Sequence, residues 1–164
     1  MSGPTRSFHV LFVCTGNTCR SPLAAAAFRA EFAPEGERIT VESAGTSAFE
    51  GQPISQGSLE VAASEGIDLS SHRAHRVTRA QLDQADLVLV MEPQHRAALQ
   101  MLGAPMDRVK VLSMWPEDRE PALPVSDPFG ASREAYEECW RRIRHHVRRI
   151  APEVRRALLE REAS

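Results

Sequence analysis

A layered α/β fold, a four-stranded parallel sheet flanked by helices, is predicted by three features of this 164-residue chain. Apolar runs short enough to be strands alternate with longer segments of helical character, the order that builds parallel sheets through right-handed crossovers. The two clearest runs, residues 9–13 and 86–91, are apolar at nearly every position, as strands covered on both faces must be. The last segment carries one apolar stripe at helical spacing, which needs a sheet or helix to cover it. The length suits a single domain, residues 1–164, with a core large enough to need no disulfide staples.

The elements follow in order. Residues 1–7 are small and polar and are expected to be a loose lead-in. The first strand, 9–13, runs into Cys14-Thr15-Gly16-Asn17-Thr18-Cys19-Arg20-Ser21-Pro22, where Pro22 suits the first turn of a helix that continues to Phe32. Residues 39–42 alternate weakly as a second strand and end at Ser43-Ala44-Gly45-Thr46. The loop that follows has one large apolar side chain, Phe49, which either plugs the core or walls a pocket. A short helix over 59–63 ends before Gly66, and 68–75 form a polar crossing. The third strand, 86–91, leads to a helix over 93–102 closed by Gly103, and 108–112 make the fourth strand. Residues 114–132 are proline-rich and irregular. From Arg133 the chain is helical, with Tyr136, Trp140, Ile143, Val147, Ile150, Val154 and Leu158 on one face, and Pro152 predicts a kink or break.

The chemistry concentrates between the first strand and the first helix. A loop from the carboxyl end of a strand to the amino end of a helix presents unpaired N–H groups, and anions bind there. The first strand should lie at the switch point where such sheets take their ligands. Gly16 and Asn17 are residue types that tolerate the backbone angles needed to converge several N–H groups. The same field favours the thiolate of Cys14, a nucleophile. Arg20 supplies a planar fork that can hold two phosphoryl oxygens, and Ser21 a hydroxyl for the thiolate or a departing sulfur. Asp127, held before Pro128, is a rigidly presented carboxyl group that would, taken alone, pass for a turn former.

Composition narrows the alternatives. A net charge of −2 implies no polyelectrolyte partner. From Ala131 onward nine arginines outnumber six acids, but the acids interleave and no aromatic is left free for stacking, so a solvated helix face is expected and no nucleic-acid role. Three cysteines without a signal peptide fit a reducing cytoplasm. The apolar segment near the amino end is too short to span a membrane. His145-His146 and His72/His75 lack the partners of a metal site, so no metal and no cofactor is expected.

The cradle sequence, Ser43-Ala44-Gly45-Thr46, Ser71-His72-Arg73-Ala74, Asp86-Leu87-Val88-Leu89-Val90-Met91 and Asp127-Pro128-Phe129-Gly130 together resemble, in order and over nearly the whole chain, the low-molecular-weight protein tyrosine phosphatase family. The resemblance implies a three-layer flavodoxin-like fold and a two-step phosphatase reaction on phosphorylated proteins, without metal. It implies Cys14 as nucleophile, Arg20 as phosphate clamp and Asp127 as general acid. Thr15, Gly16, Asn17, Thr18, Cys19 and Ser21 would form the phosphate-binding loop, supported by Ser43 and His72. Cys19 would trap an oxidised Cys14 as a reversible disulfide.

Two departures bear on substrate. Thr18 stands where the family mostly has an aliphatic residue, and Phe129-Gly130 follow Asp-Pro where one or two Tyr or Trp are usual. The combination resembles the bacterial protein arginine phosphatase branch, which favours phosphoarginine. Phe49 matches a position where tyrosine phosphatases often carry an aromatic pocket wall, which keeps phosphotyrosine as the alternative. Thiol-dependent arsenate reduction on this fold needs cysteines between Cys19 and Cys139, and none is there. A non-catalytic phosphate-binding module is opposed by the presence of nucleophile, clamp and acid. The oligomeric state is not legible.

Overall fold

The apolar runs become four strands, and the computed structural model, which describes residues 6–117 and 124–164, orders them as a parallel sheet. Strands β1 (Phe8–Cys14), β2 (Ile39–Gly45), β3 (Leu87–Val90) and β4 (Val109–Val111) lie in the order β2-β1-β3-β4, and every pairing is parallel. The helices are α1 (Arg20–Glu31), α2 (Gln56–Ser64), α3 (Arg79–Gln84), α4 (Pro93–Met101) and α5 (Arg133–Ala163). The chain leaves β1 toward β2 and then crosses back over β1 to β3, so the loop after β1 opens at the switch point.

Residue alternation along β1 explains why it reads as apolar throughout. Phe8, Val10, Phe12 and Cys14 pack with α1, α2 and α5, whereas Leu11 and Val13 meet Leu82 of α3 and Leu99 of α4. Each face of the strand thus has its own hydrophobic layer. The stripe of α5 is wholly buried and lies on the first layer, against α1 and the sheet.

Four expectations need correction. Arg6 and Ser7 are not loose: Arg6 donates to Asp86 Oδ1 at 2.9 Å, its carbonyl accepts from Arg161 at 2.6 Å, and the hydroxyls of Ser7 and Thr40 lie 2.7 Å apart. Residues 1–5 of that lead-in lie outside the described residues. The helix expected over 59–63 starts three residues earlier, because Ser55 takes extended backbone and its carbonyl accepts from the Leu59 N–H at 3.0 Å. The third and fourth strands, β3 and β4, are each one residue shorter than expected at both ends, whereas β2 runs on past 42 to Gly45. Asp86 leaves β3 because its carboxylate is spent on Arg6, Arg161 and the His9 N–H, and Arg108 closes a 3₁₀ turn before β4. Finally, α5 runs unbroken through Pro152 for 31 residues. Proline there removes one N–H bond, but it sits exposed while Ile150, Ala151 and Val154 beside it are buried, so packing holds both halves in line. Of the irregular stretch 114–132, residues 118–123 lie outside the described residues; the remainder is a 3₁₀ turn ending at Met114 and coil up to Ser132, whose hydroxyl caps α5 by accepting from Ala135 N–H at 3.3 Å.

Candidate active site

Five residues join β1 to α1, and the surroundings decide which way their backbone groups face. The carbonyls of Cys14 and Thr15 accept from Thr46 and Ser47 N–H, each at 2.9 Å. Those of Asn17 and Thr18 accept from the His72 ring at 2.7 Å and Ser55 N–H at 2.9 Å. With the carbonyls anchored outward, none of the N–H groups of residues 15–19 finds an acceptor among the described residues. The loop is a set of converging donors at the start of a helix, an anion cradle.

Asn17 makes the turn possible. It has φ +56°, is fully buried, and is the one non-glycine residue with positive φ among the described residues. Gly16, expected to share that role, has no positive φ, so its contribution is not the left-handed turn. The Asn17 amide reaches three elements: it donates to Ser21 Oγ at 2.8 Å and Ser43 Oγ at 3.0 Å, and accepts from His75 N–H at 3.1 Å. Because the ring of His72 meets a carbonyl, its Nε2 must carry the hydrogen, and burial lowers its pKa so that the ring stays neutral. Ser21 Oγ, which already accepts from Asn17, lies 2.9 Å from Cys14 Sγ and can turn its own hydrogen onto the sulfur. The Ala44 carbonyl, at 3.4 Å, is a longer alternative for that hydrogen.

Around this cradle is a hollow of about 270 Å³ lined by Cys14, Thr15, Gly16, Thr18, Cys19, Arg20, Ser47, Phe49, Gln52, Asp127 and Phe129. Every site residue expected from the sequence therefore either lines it or, as for Asn17, Ser21, Ser43 and His72, stands behind it. Phe49 and Phe129 are 73% and 71% exposed, which places Phe49 on the pocket wall and not in the core. Arg20 is buried. It donates to Glu92 and to the Val125 carbonyl, and its Nη2 lies 3.7 Å from Asp127 Oδ2. Asp127 is half exposed, and Phe129 N–H donates to its Oδ1 at 3.1 Å, which fixes the carboxylate over the hollow. The Cys19 thiol donates to Ser55 Oγ at 3.1 Å and lies 3.7 Å from the Tyr136 hydroxyl. All three cysteines are free thiols. Among the described residues no cluster of three or more His, Cys, Asp or Glu could hold a metal ion.

Sequence reasoning missed Glu92 and His95, and it gave no role to Gly45, which it noted only within the motif Ser43-Ala44-Gly45-Thr46 and which packs against the Thr15 and Asn17 backbone. Burial opposes ionisation of Glu92, but hydrogen bonds from Arg20 and Gln94 outweigh it and leave the carboxyl below its usual range. A signal existed: Glu92 directly follows the apolar run 86–91 at the carboxyl edge of the sheet, where a polar side chain faces the ligand site.

The low molecular weight phosphotyrosine protein phosphatase family matches residues 9–161. The chain belongs to this family. A low molecular weight protein-tyrosine-phosphatase of Streptomyces coelicolor is 36% identical over 141 residues, covering 81% of this chain and 85% of the relative. The protein-arginine-phosphatase of Bacillus subtilis is 32% identical over 148 residues, 90% of this chain and 97% of the relative. Among solved structures, the arginine phosphatase YwlE in a mutant form with a phosphorylated active-site serine aligns with a TM-score of 0.84. It is 31% identical and covers 92% of this chain and 99% of that one. The four-stranded parallel sheet with its flanking helices is thus the fold of the low-molecular-weight phosphatases, and the chain is a protein phosphatase by family.

Proposed function

We propose that this chain, acting as one domain, is a metal-independent cysteine phosphatase that removes phosphate from phosphoarginine in proteins. The phosphatase mechanism rests on the cradle of unpaired N–H groups ending in Cys14 and Arg20. The Cys14 thiolate attacks phosphorus in line while those donors and the Arg20 fork hold the equatorial oxygens. As the S–P bond forms, the P–N bond breaks and Asp127 gives its proton to the departing nitrogen. Water then attacks the cysteinyl phosphate, Asp127 takes a proton from it, and the S–P bond breaks to release phosphate and thiolate, which the Ser21 hydroxyl stabilises. Arg20 exchanges its 3.7 Å approach to Asp127 for the phosphoryl oxygens, while Glu92 keeps hold of its other nitrogen.

The observation that favours phosphoarginine is the hydroxyl of Thr18. It is half-buried on the lining of the hollow, and the one hydrogen-bond contact it makes among the described residues is a long one, with Cys19 Sγ at 3.9 Å. A hydroxyl so weakly engaged within the protein is poorly matched to an aromatic ring and well matched to a guanidinium N–H or its water. The Asp127 carboxyl group adds a second polar partner for that group, and the Phe49 and Phe129 rings can flank its plane. Phosphotyrosine is the second reading, because the same rings suit a phenol and many relatives are tyrosine phosphatases. The test compares kcat/KM on phosphoarginine and phosphotyrosine for the wild type and Thr18→Ile. Wild type should prefer phosphoarginine and the substitution should move the preference toward phosphotyrosine; an unchanged ratio removes Thr18 as the determinant.

We also propose that peroxide oxidises the Cys14 thiolate to a sulfenic acid, whose oxygen the Cys19 thiol displaces as water to form a disulfide. Free thiols at both positions suit this chemistry and the reducing cytoplasm. Activity lost to mild peroxide should return with dithiothreitol; irreversible loss in the wild type would remove Cys19 as its redox partner.

A further inference from the structure

The first turn of α4 reaches two parts of the cradle at once. Glu92, at the cap of the helix, holds Arg20 Nη1. Three residues on, His95 Nε2 lies 2.8 Å from Thr15 Oγ1, on the rim of the loop. The two are locked together as a capping box in which the Glu92 N–H donates to His95 Nδ1 at 3.1 Å. An N–H can only donate, so Nδ1 is unprotonated and the neutral ring carries its hydrogen on Nε2. The His95 ring therefore donates to the Thr15 hydroxyl. His95 is 2% exposed, and burial followed by the Arg20 charge lowers its pKa against the opposing pull of Glu92 and Asp127. The protonated form, which would set an Nδ1 hydrogen against the Glu92 N–H, is disfavoured twice over.

Thr15 is the residue after the nucleophile and is exposed in the hollow. Its carbonyl is tied to Ser47, while among the described residues the hydrogen bond to its side chain comes from His95. We propose that His95 is a positioning residue of the phosphoryl-transfer site: through the Thr15 hydroxyl it sets the rim of the cradle from the same helix end that sets Arg20 through Glu92. Two parts of the site that must hold their mutual geometry to a fraction of an ångström, loop and clamp, thereby share one rigid bracket. The proposal rests on the phosphatase reading for its activity readout and on anion binding for an independent one.

The test pairs two conservative variants. His95→Asn places an amide oxygen near the position of Nδ1 and retains the capping bond but is too short for Thr15; His95→Gln extends an amide N–H toward the position of Nε2 and restores the bond to the hydroxyl. With one neutral hydrogen bond at stake, kcat/KM on p-nitrophenyl phosphate should fall about tenfold in His95→Asn and return to within about threefold of wild type in His95→Gln. Inorganic phosphate binding, measured by calorimetry, should weaken in the same order. In a Thr15→Val background the difference between Asn and Gln should vanish. Equal behaviour of the two variants, a gap that persists in the Thr15→Val background, or activity losses that follow melting temperature would each overturn the positioning role. A wild type inert toward p-nitrophenyl phosphate but showing the same order in phosphate binding would overturn the phosphatase reading and leave the bracket standing.

Discussion

At Gly45 the end of β2 passes so close to the cradle that an added Cβ would lie 2.5 Å from the Thr15 carbonyl oxygen and 3.0 Å from the Asn17 nitrogen. Both atoms are backbone, so nothing flexible can yield, and the loop itself must move. Gly45→Ala is therefore expected to lower kcat/KM on p-nitrophenyl phosphate by about tenfold or more, since a displaced cradle loses several converging donors together. Calorimetry should find phosphate affinity reduced in parallel; full affinity in the variant would mean that the close approach is incidental. Asp127 offers a cleaner separation of binding from chemistry. Its removal as Asp127→Asn should cost about 10² to 10⁴ in kcat, the usual range for a general acid, with the N–H bond that orients the side chain retained. A kcat within a few-fold of wild type would assign the acid elsewhere. Cys14 and Arg20 could be proposed from the residues themselves because a nucleophile and a planar cation carry their chemistry in their identity, whereas Asp127, taken alone, reads as a turn former and is proposed as the acid only through the family resemblance. Glu92 and His95 could not be found in that way, because their roles lie in pairings with Arg20 and Thr15, 72 and 80 positions away.

Among the elements, α5 was the most legible because its period is unambiguous and every residue of its stripe is buried. The same reading failed at Pro152, where a local rule about a missing N–H was outweighed by burial on either side. That balance can be measured. Ile143, fully buried between the sheet and α1, should cost about 2–5 kcal/mol when cut to Ala, seen as a lower urea midpoint at unchanged slope. Leu159, 60% exposed on the same helix, should cost less than about 0.5 kcal/mol as Leu159→Ala. Similar losses at the two positions would mean that α5 contributes helix propensity and not packing. Strand ends were less legible than strand centres for a related reason: Asp86 and Arg108 have partners that only the folded sheet brings near.

For the whole molecule, strand count and parallel sense followed from the alternation of elements, and the site at the switch point followed from the order β2-β1-β3-β4. What alternation does not specify is how the site is wired into the rest of the fold, and two neutral histidines do much of that wiring. His72 ties the polar crossing to the Asn17 carbonyl, and His95 ties α4 to Thr15. Burial lowers the pKa of each, aided by His75, Arg29 and Arg73 at the first and by Arg20 at the second. In the unfolded chain these rings bind a proton as pH falls through about 6.5, whereas in the folded protein they do so only at lower pH. Below that point the unfolded state holds more protons, so stability falls as pH falls; above it the two states bind alike and the histidines make no difference. Glu92, whose carboxyl is lowered in the folded state, adds a loss of the same sign only at more acid pH, as its unfolded counterpart protonates. Urea unfolding should therefore give a lower stability at about pH 5.5 than at about pH 7.5, two points chosen to bracket the ordinary histidine range of about 6.5. The double variant His72→Gln, His95→Gln should flatten that dependence. A wild-type stability equal at both pH values would mean that the two rings are not held neutral, and a slope that survives the double substitution would move its origin to other groups.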